Sequence, residues 1–332
     1  MQKSYSPEEY LYASARIRAL EAHFCAKDQL NSLLDGGNAA DAIAALFEAA
    51  GVAPSSDCRE GSTEERLMAA LRGGMATVAA SVPDQGIVPL VALPYDCHNA
   101  KAYLKCKYLG VDPLPLTIDA GTLPVADLLA ALKDTGTAPL PPHLKGALAE
   151  AEEAFAKTGD PREIDFLLDR ALFADLASIA AELPFATELY RVKTDLANAL
   201  ICLRLCRRGG DTAAALLSKS FLPGGALGEG FFASLIEQGE EALVKALVTQ
   251  TPYASVFENA VGESLADLEK RADDEIITRL LGAKKLPFGG EVPLAYLLAL
   301  DSTVKNLRIV LSGRESGLDR AALCTKVRES YV

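Results

Sequence analysis

The stretch PLAYLLALDSTVKNLRIVLSGRESGLD, residues 293–319, contains the pattern around which the rest of the chain is organised. Its apolar residues recur at intervals of three and four, which places one side chain per turn on a single face and predicts an amphipathic helix. These residues are Leu297, Leu300, Val304, Leu307 and Leu311. Lys305 and Arg308 lie off this face, and Gly313 and Gly317 follow the last periodic residue. Glycine in this position predicts the end of the helix.

The same arrangement occurs twice earlier in the chain. In each copy an asparagine is followed by a leucine, then by a glycine, and then by an aspartate, always at the same spacing. The copies contain Asn99, Leu104, Gly110 and Asp112; Asn198, Leu203, Gly209 and Asp211; and Asn306, Leu311, Gly317 and Asp319. Because the asparagines lie 99 and 108 residues apart, the period exceeds the roughly 20–50 residues of solenoid repeats. The pattern predicts an internal triplication instead.

We therefore predict an all-α fold of three similar helical domains arranged around a pseudo-threefold axis. The three repeats cover residues 1–93, 94–188 and 189–290, and the C-terminal helices at 291–332 close onto the first repeat. No stretch alternates polar and apolar residues for long enough to predict a sheet. Residues 10–34 have the periodicity of one long helix, whereas the prolines in residues 87–95 predict a connector or a broken helix.

Composition agrees with a helical chain that has ample material for a core. Half of the 332 residues are hydrophobic, aromatic residues make up only 6%, and tryptophan is absent. The net charge of −12 repels phosphate backbones, so we expect no nucleic-acid partner. The longest apolar run, residues 292–300, is far shorter than the roughly 20 residues of a bilayer span. We expect neither a direct membrane span nor, from the charged N-terminal residues, a secretory signal.

The sequence contains no recognisable motif for chemistry. A P-loop, a complete GxGxxG, HExxH and GxSxG are all missing. Cys97 and His98 are adjacent, but neighbouring helical side chains point about 100° apart and cannot act as nucleophile and base on each other. None of the seven cysteines forms a CxxC pair, and there are only three histidines. Asp165 and Asp169, one turn apart, indicate a solvated face or pairing with a nearby arginine. We predict no catalytic residue, metal or cofactor.

The repeated asparagines leave three interpretations open. Each could cap its own helix, form an interhelical hydrogen bond that fixes packing within its repeat, or contact a partner protein. The cations on the same helices, and two arginines on the first helix, fit intramolecular ion pairs or interface contacts. The resulting candidates for partner binding or helix packing are Arg16, Arg18, Asn99, Lys101, Asn198, Arg204, Asn306 and Arg308.

Several phrases of the sequence together resemble one known family. They are YLYASARIRALE at 10–21, YDCHNAKAYLKCKYLG at 95–110, REIDFLLDRALFADL at 162–176, KTDLANALICLRL at 193–205, and PFGGEVPLAYLLALDSTVKNLRIVLSGRESG at 287–317. In this order and spacing they resemble the C subunit of bacterial and archaeal V-type (A-type) ATPases, the counterpart of the eukaryotic d subunit. The resemblance spans nearly the whole chain.

The resemblance implies a funnel-shaped, all-helical fold of three similar domains and a mechanical role. A member of that family sits on the cytoplasmic face of the membrane as a peripheral protein. It joins the central shaft subunits to the membrane proteolipid ring, and so couples ATP hydrolysis or synthesis to ion transport without catalysing a reaction itself. Two other classes stay open from the residues alone: a general cytoplasmic helical scaffold or interaction protein, and an enzyme with a pocket between domains.

Overall fold

The computed structural model describes residues 5–25, 27–55, 61–133, 139–209 and 213–332. Within these ranges all regular secondary structure is α-helical or 3-10, with no β-strand. This confirms the prediction of an all-α fold. Asp211, one of the repeated aspartates, lies outside the described residues. The triplication, the pseudo-threefold axis and the funnel shape stay predictions.

The described α-helices are α1 Leu11–Glu21, α2 Lys27–Leu34, α3 Ala39–Ala50, α4 Thr63–Ala79, α5 Pro89–Leu109, α6 Val125–Lys133, α7 Pro142–Thr158, α8 Arg162–Ala181, α9 Pro184–Arg208, α10 Ala213–Ser220, α11 Glu229–Ile236, α12 Glu240–Gln250, α13 Ala254–Phe257, α14 Leu265–Leu280, α15 Glu291–Glu315 and α16 Arg320–Cys324. Three 3-10 helices cover Pro7–Tyr10, Leu114–Leu116 and Leu281–Lys285. The chain forms two compact units. Met1–Val91 and Asp273–Val332 make the first, and Ala92–Ala272 makes the second.

The first unit is built around α15, which packs against α1, α3 and α4. Most of α15 is buried, including all five residues of its predicted apolar face. The fully buried Tyr296 donates its hydroxyl hydrogen to the carbonyl oxygen of Ala49, 2.6 Å away. A Cβ at Gly74 of α4 would lie 2.2 Å from Leu300 Cδ2. Glycine at this position therefore allows α4 and α15 to approach closely.

The second unit contains a closely packed pair of helices, α7 and α8, with α9 against α8. The buried Asp175 of α8 accepts hydrogen bonds from the backbone N–H groups of His143 and Leu144, at 3.1 and 2.7 Å. These N–H groups belong to the first turn of α7, where no intrahelical acceptor is available. One side chain of α8 thus satisfies the beginning of α7 and fixes where the two helices meet.

Two predicted helix boundaries are wrong. Residues 10–34 do not form one helix, since α1 ends at Glu21 and α2 begins at Lys27. Between them Phe24 is buried, with its ring edge-on to Tyr296 and Tyr331. This aromatic packing within the first unit outweighs the helical periodicity of the segment.

Conversely, α5 begins at Pro89 and runs through Pro94, where a connector or a broken helix was expected. An interior proline costs about 3 kcal/mol of helix stability. Burial of the residues around it, including Leu93 and Ala92, offsets this cost. Each large apolar side chain that is buried contributes about 1.5–3 kcal/mol.

The predicted glycine stops are confirmed at the ends of the three long helices. Gly110, Gly209 and Gly317 all have φ between 64° and 75°, positive values that L-residues with side chains rarely adopt. At two of these ends the chain closes with a backbone hydrogen bond that spans the turn. Val111 N–H donates to the carbonyl of Cys106, and Leu318 N–H donates to that of Gly313. Gly313 itself lies within α15 rather than at its end.

Candidate functional site

The three repeated asparagines make the same pair of hydrogen bonds. In each, the side-chain amide donates to the carbonyl oxygen of one downstream residue and accepts from the N–H of that same residue. The pairs are Asn99 with Ile118 at 2.8 and 2.8 Å, Asn198 with Leu222 at 2.9 and 2.8 Å, and Asn306 with Arg328 at 3.1 and 2.9 Å. We call this arrangement the asparagine clamp. All three asparagines are buried.

The clamp is not a helix cap. The helices that carry Asn99, Asn198 and Asn306 begin much earlier, at Pro89, Pro184 and Glu291. The interpretation of the asparagines as N-caps is therefore wrong. Each clamp ties the interior of a long helix to a chain segment 19 to 24 residues further on. Since asparagine satisfies both backbone groups of its partner, the segment can lie against the helix without leaving a buried polar group unpaired.

Two buried aspartates accompany the first two clamps, one helical turn before the asparagine. Asp96 accepts from the N–H and the hydroxyl of Thr122, at 2.8 and 2.5 Å. Asp195 accepts from Leu227 N–H at 2.9 Å and from the Tyr253 hydroxyl at 2.6 Å. Burial raises the pKa of both carboxyls, and the hydrogen bonds they accept oppose that rise.

The sequence carries a signal for these aspartates, although none of the predictions rests on it. The spacing D-x-x-N occurs at both asparagines, as DCHN and DLAN. Around α15 the corresponding position is Thr303, whose hydroxyl donates to the carbonyl of Ala299 at 2.8 Å. The third copy therefore keeps the clamp and lacks the carboxylate.

Two glycines make room for the aspartates. A Cβ at Gly121 would lie 1.9 Å from Asp96 Oδ1, and a Cβ at Gly225 would lie 2.3 Å from Asp195 Oδ1. Real Cβ atoms do not approach an oxygen so closely, so both positions require glycine for the close backbone approach. The two glycine–aspartate contacts are equivalent. They are a second similarity between the regions around α5 and α9, in addition to the spacing of the asparagines.

Two lysines of α5 are paired with aspartates of α8. Lys101 Nζ lies 2.5 Å from Asp169 Oδ1, and Lys105 Nζ lies 2.6 Å from Asp165 Oδ1. The sequence predicted that these two aspartates lie on a solvated face or pair with an arginine. They pair instead with lysines that are 60 or more residues away in the chain. The four side chains are 19–40% exposed, and partly exposed ion pairs of this kind contribute at most about 1 kcal/mol each.

The remaining candidate cations also have intramolecular partners. Arg204 pairs with Glu269 at 2.9 Å. Arg308 forms a two-pronged pair with Glu64 at 2.8 and 2.6 Å. On α1, Arg16 donates to Ser81 Oγ at 2.9 Å, and Arg18 donates to Glu21 at 2.6 Å and to the carbonyls of Ala283 and Leu286 at 2.5 and 2.9 Å. The eight candidates lie on four helices, those of α1 and α15 in the first unit and those of α5 and α9 in the second. On each helix they make their own local contacts.

Cys97 and His98 face different neighbours. The Cys97 thiol lies 3.6 Å from the carbonyl oxygen of Leu168, and burial raises its pKa to about 12. His98 Nε2 lies 3.0 Å from the carbonyl oxygen of Leu116. Among the described residues no group of three His, Cys, Asp or Glu side chains is placed to hold a metal ion. In the same part of the chain, no helix is both long and apolar enough to cross a membrane.

Comparison with known proteins identifies similar chains. The sequence profile described as "ATP synthase (C/AC39) subunit" matches residues 13–323. The chain is 24% identical to the C subunit of the V-type sodium ATPase of Enterococcus hirae, over 76% of this chain and 77% of that protein. It is 23% identical to the C subunit of the A-type ATP synthase of Thermococcus onnurineus, over 95% and 88%. The C subunit of a further A-type ATP synthase, from Desulfurococcus sp., is 24% identical over 95% and 89%.

Proposed function

The chain belongs to the family of ATP synthase (C/AC39) subunits, and from this premise we propose that it is the non-catalytic central-stalk subunit of a rotary V/A-type ATPase. In this role it is a socket that links the rotating shaft subunits to the membrane proteolipid ring. It lies on the cytoplasmic face of the membrane as a peripheral protein. It couples ATP hydrolysis or synthesis to ion transport by transmitting torque. The observation that carries the proposal is the family match along nearly the whole chain.

The clamps support a mechanical role. Two of the clamped helices, α9 and α15, have 25 residues each, and such helices are about 38 Å long at 1.5 Å per residue. Proteins open locally where few contacts hold an element in place. Each clamp attaches the interior of a long helix to the chain that follows with two hydrogen bonds, which are buried at Asn198 and part-buried at Asn99 and Asn306. The attachment resists sliding of that segment along the helix.

The repeated cations extend the proposal to the contact surfaces. We propose that the helix faces bearing Lys101, Arg204 and Arg308 lie against the shaft or the ring. Reversing these charges alone would also break their internal ion pairs. A swap such as Arg204→Glu with Glu269→Arg keeps the pair and moves the charges. If the face contacts a partner, the swap weakens binding severalfold at low salt, while unfolding is unchanged. Equal binding of swap and wild type contradicts this part of the proposal.

Reconstitution of coupling tests the function itself. Vesicles that contain the membrane sector are combined with the soluble catalytic sector, with and without this chain, and both ATP hydrolysis and ion uptake are measured. With the chain present we expect ATP-driven ion uptake, and hydrolysis that slows when the ring is chemically blocked. Without it, hydrolysis should continue at full rate without uptake. Ion uptake that is equal in both preparations contradicts the proposal.

A further inference from the structure

One short segment of the second unit exposes an unusual amount of apolar surface. Residues 109–116, LGVDPLPL, follow the end of α5, and we call them the apolar segment. Its large apolar side chains are more than half exposed: Leu109 at 74%, Val111 at 52%, Leu114 at 58% and Leu116 at 57%. Single exposed leucines are ordinary, but a concentration of this kind marks an interaction surface.

The apolar segment has a defined conformation. Leu114 N–H donates to Asp112 Oδ1 at 3.1 Å, and the Thr117 hydroxyl donates to the carbonyl of Leu114 at 2.7 Å. The ring nitrogen of His98 donates to the carbonyl of Leu116, and the Asn99 clamp holds Ile118 just beyond. Since the segment is already ordered, a partner that binds it avoids much of the entropy loss of fixing a loop.

The charges around the apolar segment disfavour a lipid surface as its occupant. The segment contains one charged residue, Asp112. The lysines on the preceding turns of α5 are engaged, Lys105 with Asp165 at 2.6 Å and Lys107 with Glu152 at 2.5 Å. Peripheral binding to anionic bilayers relies on available cations near the apolar residues. The net charge of −12 adds general repulsion from such a bilayer.

The size of the apolar segment disfavours a second copy of the chain. A stable dimer interface uses about 20–30 residues on each side, whereas the segment has eight. It is the right size for an anchor, a few apolar residues that fill pockets within a larger interface. A multi-subunit assembly supplies such an interface.

We propose that the apolar segment docks on the cytoplasmic loops of the proteolipid ring, a partner that rests on the function proposed above. Cytoplasmic loops of membrane proteins carry an excess of Lys and Arg, which complements Asp112 and the acidic chain. The same proposal places Leu114 and Leu116 against apolar side chains of the ring, at the level where these loops meet its membrane-spanning helices.

Binding to the isolated ring tests this assignment. The ring, purified from the source membranes, is reconstituted in phosphatidylcholine vesicles, and co-sedimentation gives the Kd of the full-length chain. The variant Leu114→Ser/Leu116→Ser removes two anchors. Leu11→Ser/Val261→Ser is the matched control, because these residues are 50% and 48% exposed elsewhere. The circular dichroism and thermal unfolding of both variants check that they fold like the wild type.

We expect the anchor variant to bind the ring at least about tenfold more weakly, while the control binds like the wild type. Asp112→Lys should weaken binding several-fold and reduce its dependence on salt. Both variants should bind purified shaft subunits normally. Ring binding by the anchor variant at wild-type affinity overturns the assignment and leaves the proposed function intact. Loss of shaft binding alone, or wild-type binding to protein-free vesicles, also overturns it. A wild-type chain that binds neither ring nor shaft contradicts the proposed function itself.

Discussion

The chain leaves α5 at Gly110 and α15 at Gly317 with the same left-handed backbone, and Asn99 and Asn306 clamp the segments that follow. After Gly317 the chain returns onto its helix, so that Leu323 is buried against Gly313. After Gly110 it keeps its apolar side chains in solvent. The same local structure, a glycine with positive φ followed by a clamped segment, therefore has two different outcomes. The segment after Gly317 packs on its own helix. The segment after Gly110 is ordered but exposed, as a contact surface for another protein would be.

The largest contrast we expect is in stability. Leu307 of α15 is fully buried, whereas Leu114 is 58% exposed. Leu307→Ala should lower the free energy of unfolding by about 2–5 kcal/mol, because it removes buried contacts and leaves a cavity. Leu114→Ala should change it by no more than about 0.5 kcal/mol. Urea unfolding followed by circular dichroism measures both. Similar losses for the two would mean that the apolar segment is part of the core.

The clamps provide the next largest effect. Asn99→Ala and Asn306→Ala each leave a part-buried backbone N–H and a part-buried carbonyl without their side-chain partner, so each should cost about 2–3 kcal/mol of unfolding free energy. Asn31→Ala, at a half-buried helical position without a clamp, is the control and should be close to neutral. The ring-binding assay then separates the two clamped segments. Only Asn99→Ala should weaken ring binding, and equal weakening by Asn306→Ala would undo the distinction.

The glycines beside the buried aspartates give a smaller effect. Gly121→Ala and Gly225→Ala place a methyl group on a carboxylate oxygen and should each destabilise by about 1–3 kcal/mol. Gly146→Ala is the matched control, because no atom lies within 4 Å of its added Cβ. In the interior of α7 it should stabilise by about 0.5–1 kcal/mol. Thermal unfolding of the three variants measures these changes in stability. If Gly121→Ala is neutral, the clamped segment after α5 shifts to accommodate the methyl group without cost.

The smallest expected effect is a pH dependence. Because burial raises the folded-state pKa of Asp96, the folded chain holds this proton more tightly than the unfolded chain. Its stabilising contribution is fully present below the unfolded pKa of about 4. It is lost as the pH rises through that value to the raised folded pKa.

Asp96→Asn removes this titration. The destabilisation it causes should therefore be smaller at pH 7 than at pH 4. Asp195→Asn should behave in the same way. Urea unfolding of wild type and variants at both pH values measures the difference. A destabilisation that grows with pH would mean that the folded chain favours the carboxylate, contrary to its burial.

Sequence periodicity was sufficient for the all-α fold and for the glycine ends of the long helices, because both depend on residues within a few turns of each other. It did not predict the break after Glu21, which the packing of Phe24 on distant aromatic rings determines. Nor did it predict what the asparagines bind, since the residue clamped by Asn99 lies 19 positions away in a segment without periodicity.

The ion pairs show the same limit. Lys101 and Asp169 were each singled out from the sequence, yet 68 residues separate them, and only the packing of α5 beside α8 brings them together. Exposure of the apolar segment could not be predicted either, because the letters LGVDPLPL do not show whether another part of the chain covers these apolar residues. Local sequence patterns predict the helices and their ends. Which side chains stay exposed is determined by tertiary contacts.

Hydrogen exchange compares the two clamped segments most directly. The full-length chain is exchanged alone and after assembly with the reconstituted ring and shaft, and peptides covering 109–118 and 318–328 are followed by mass spectrometry. We predict that assembly slows exchange in 109–118 at least about tenfold and leaves 318–328 unchanged. Unchanged exchange in 109–118, with assembly confirmed by co-sedimentation, would contradict the account.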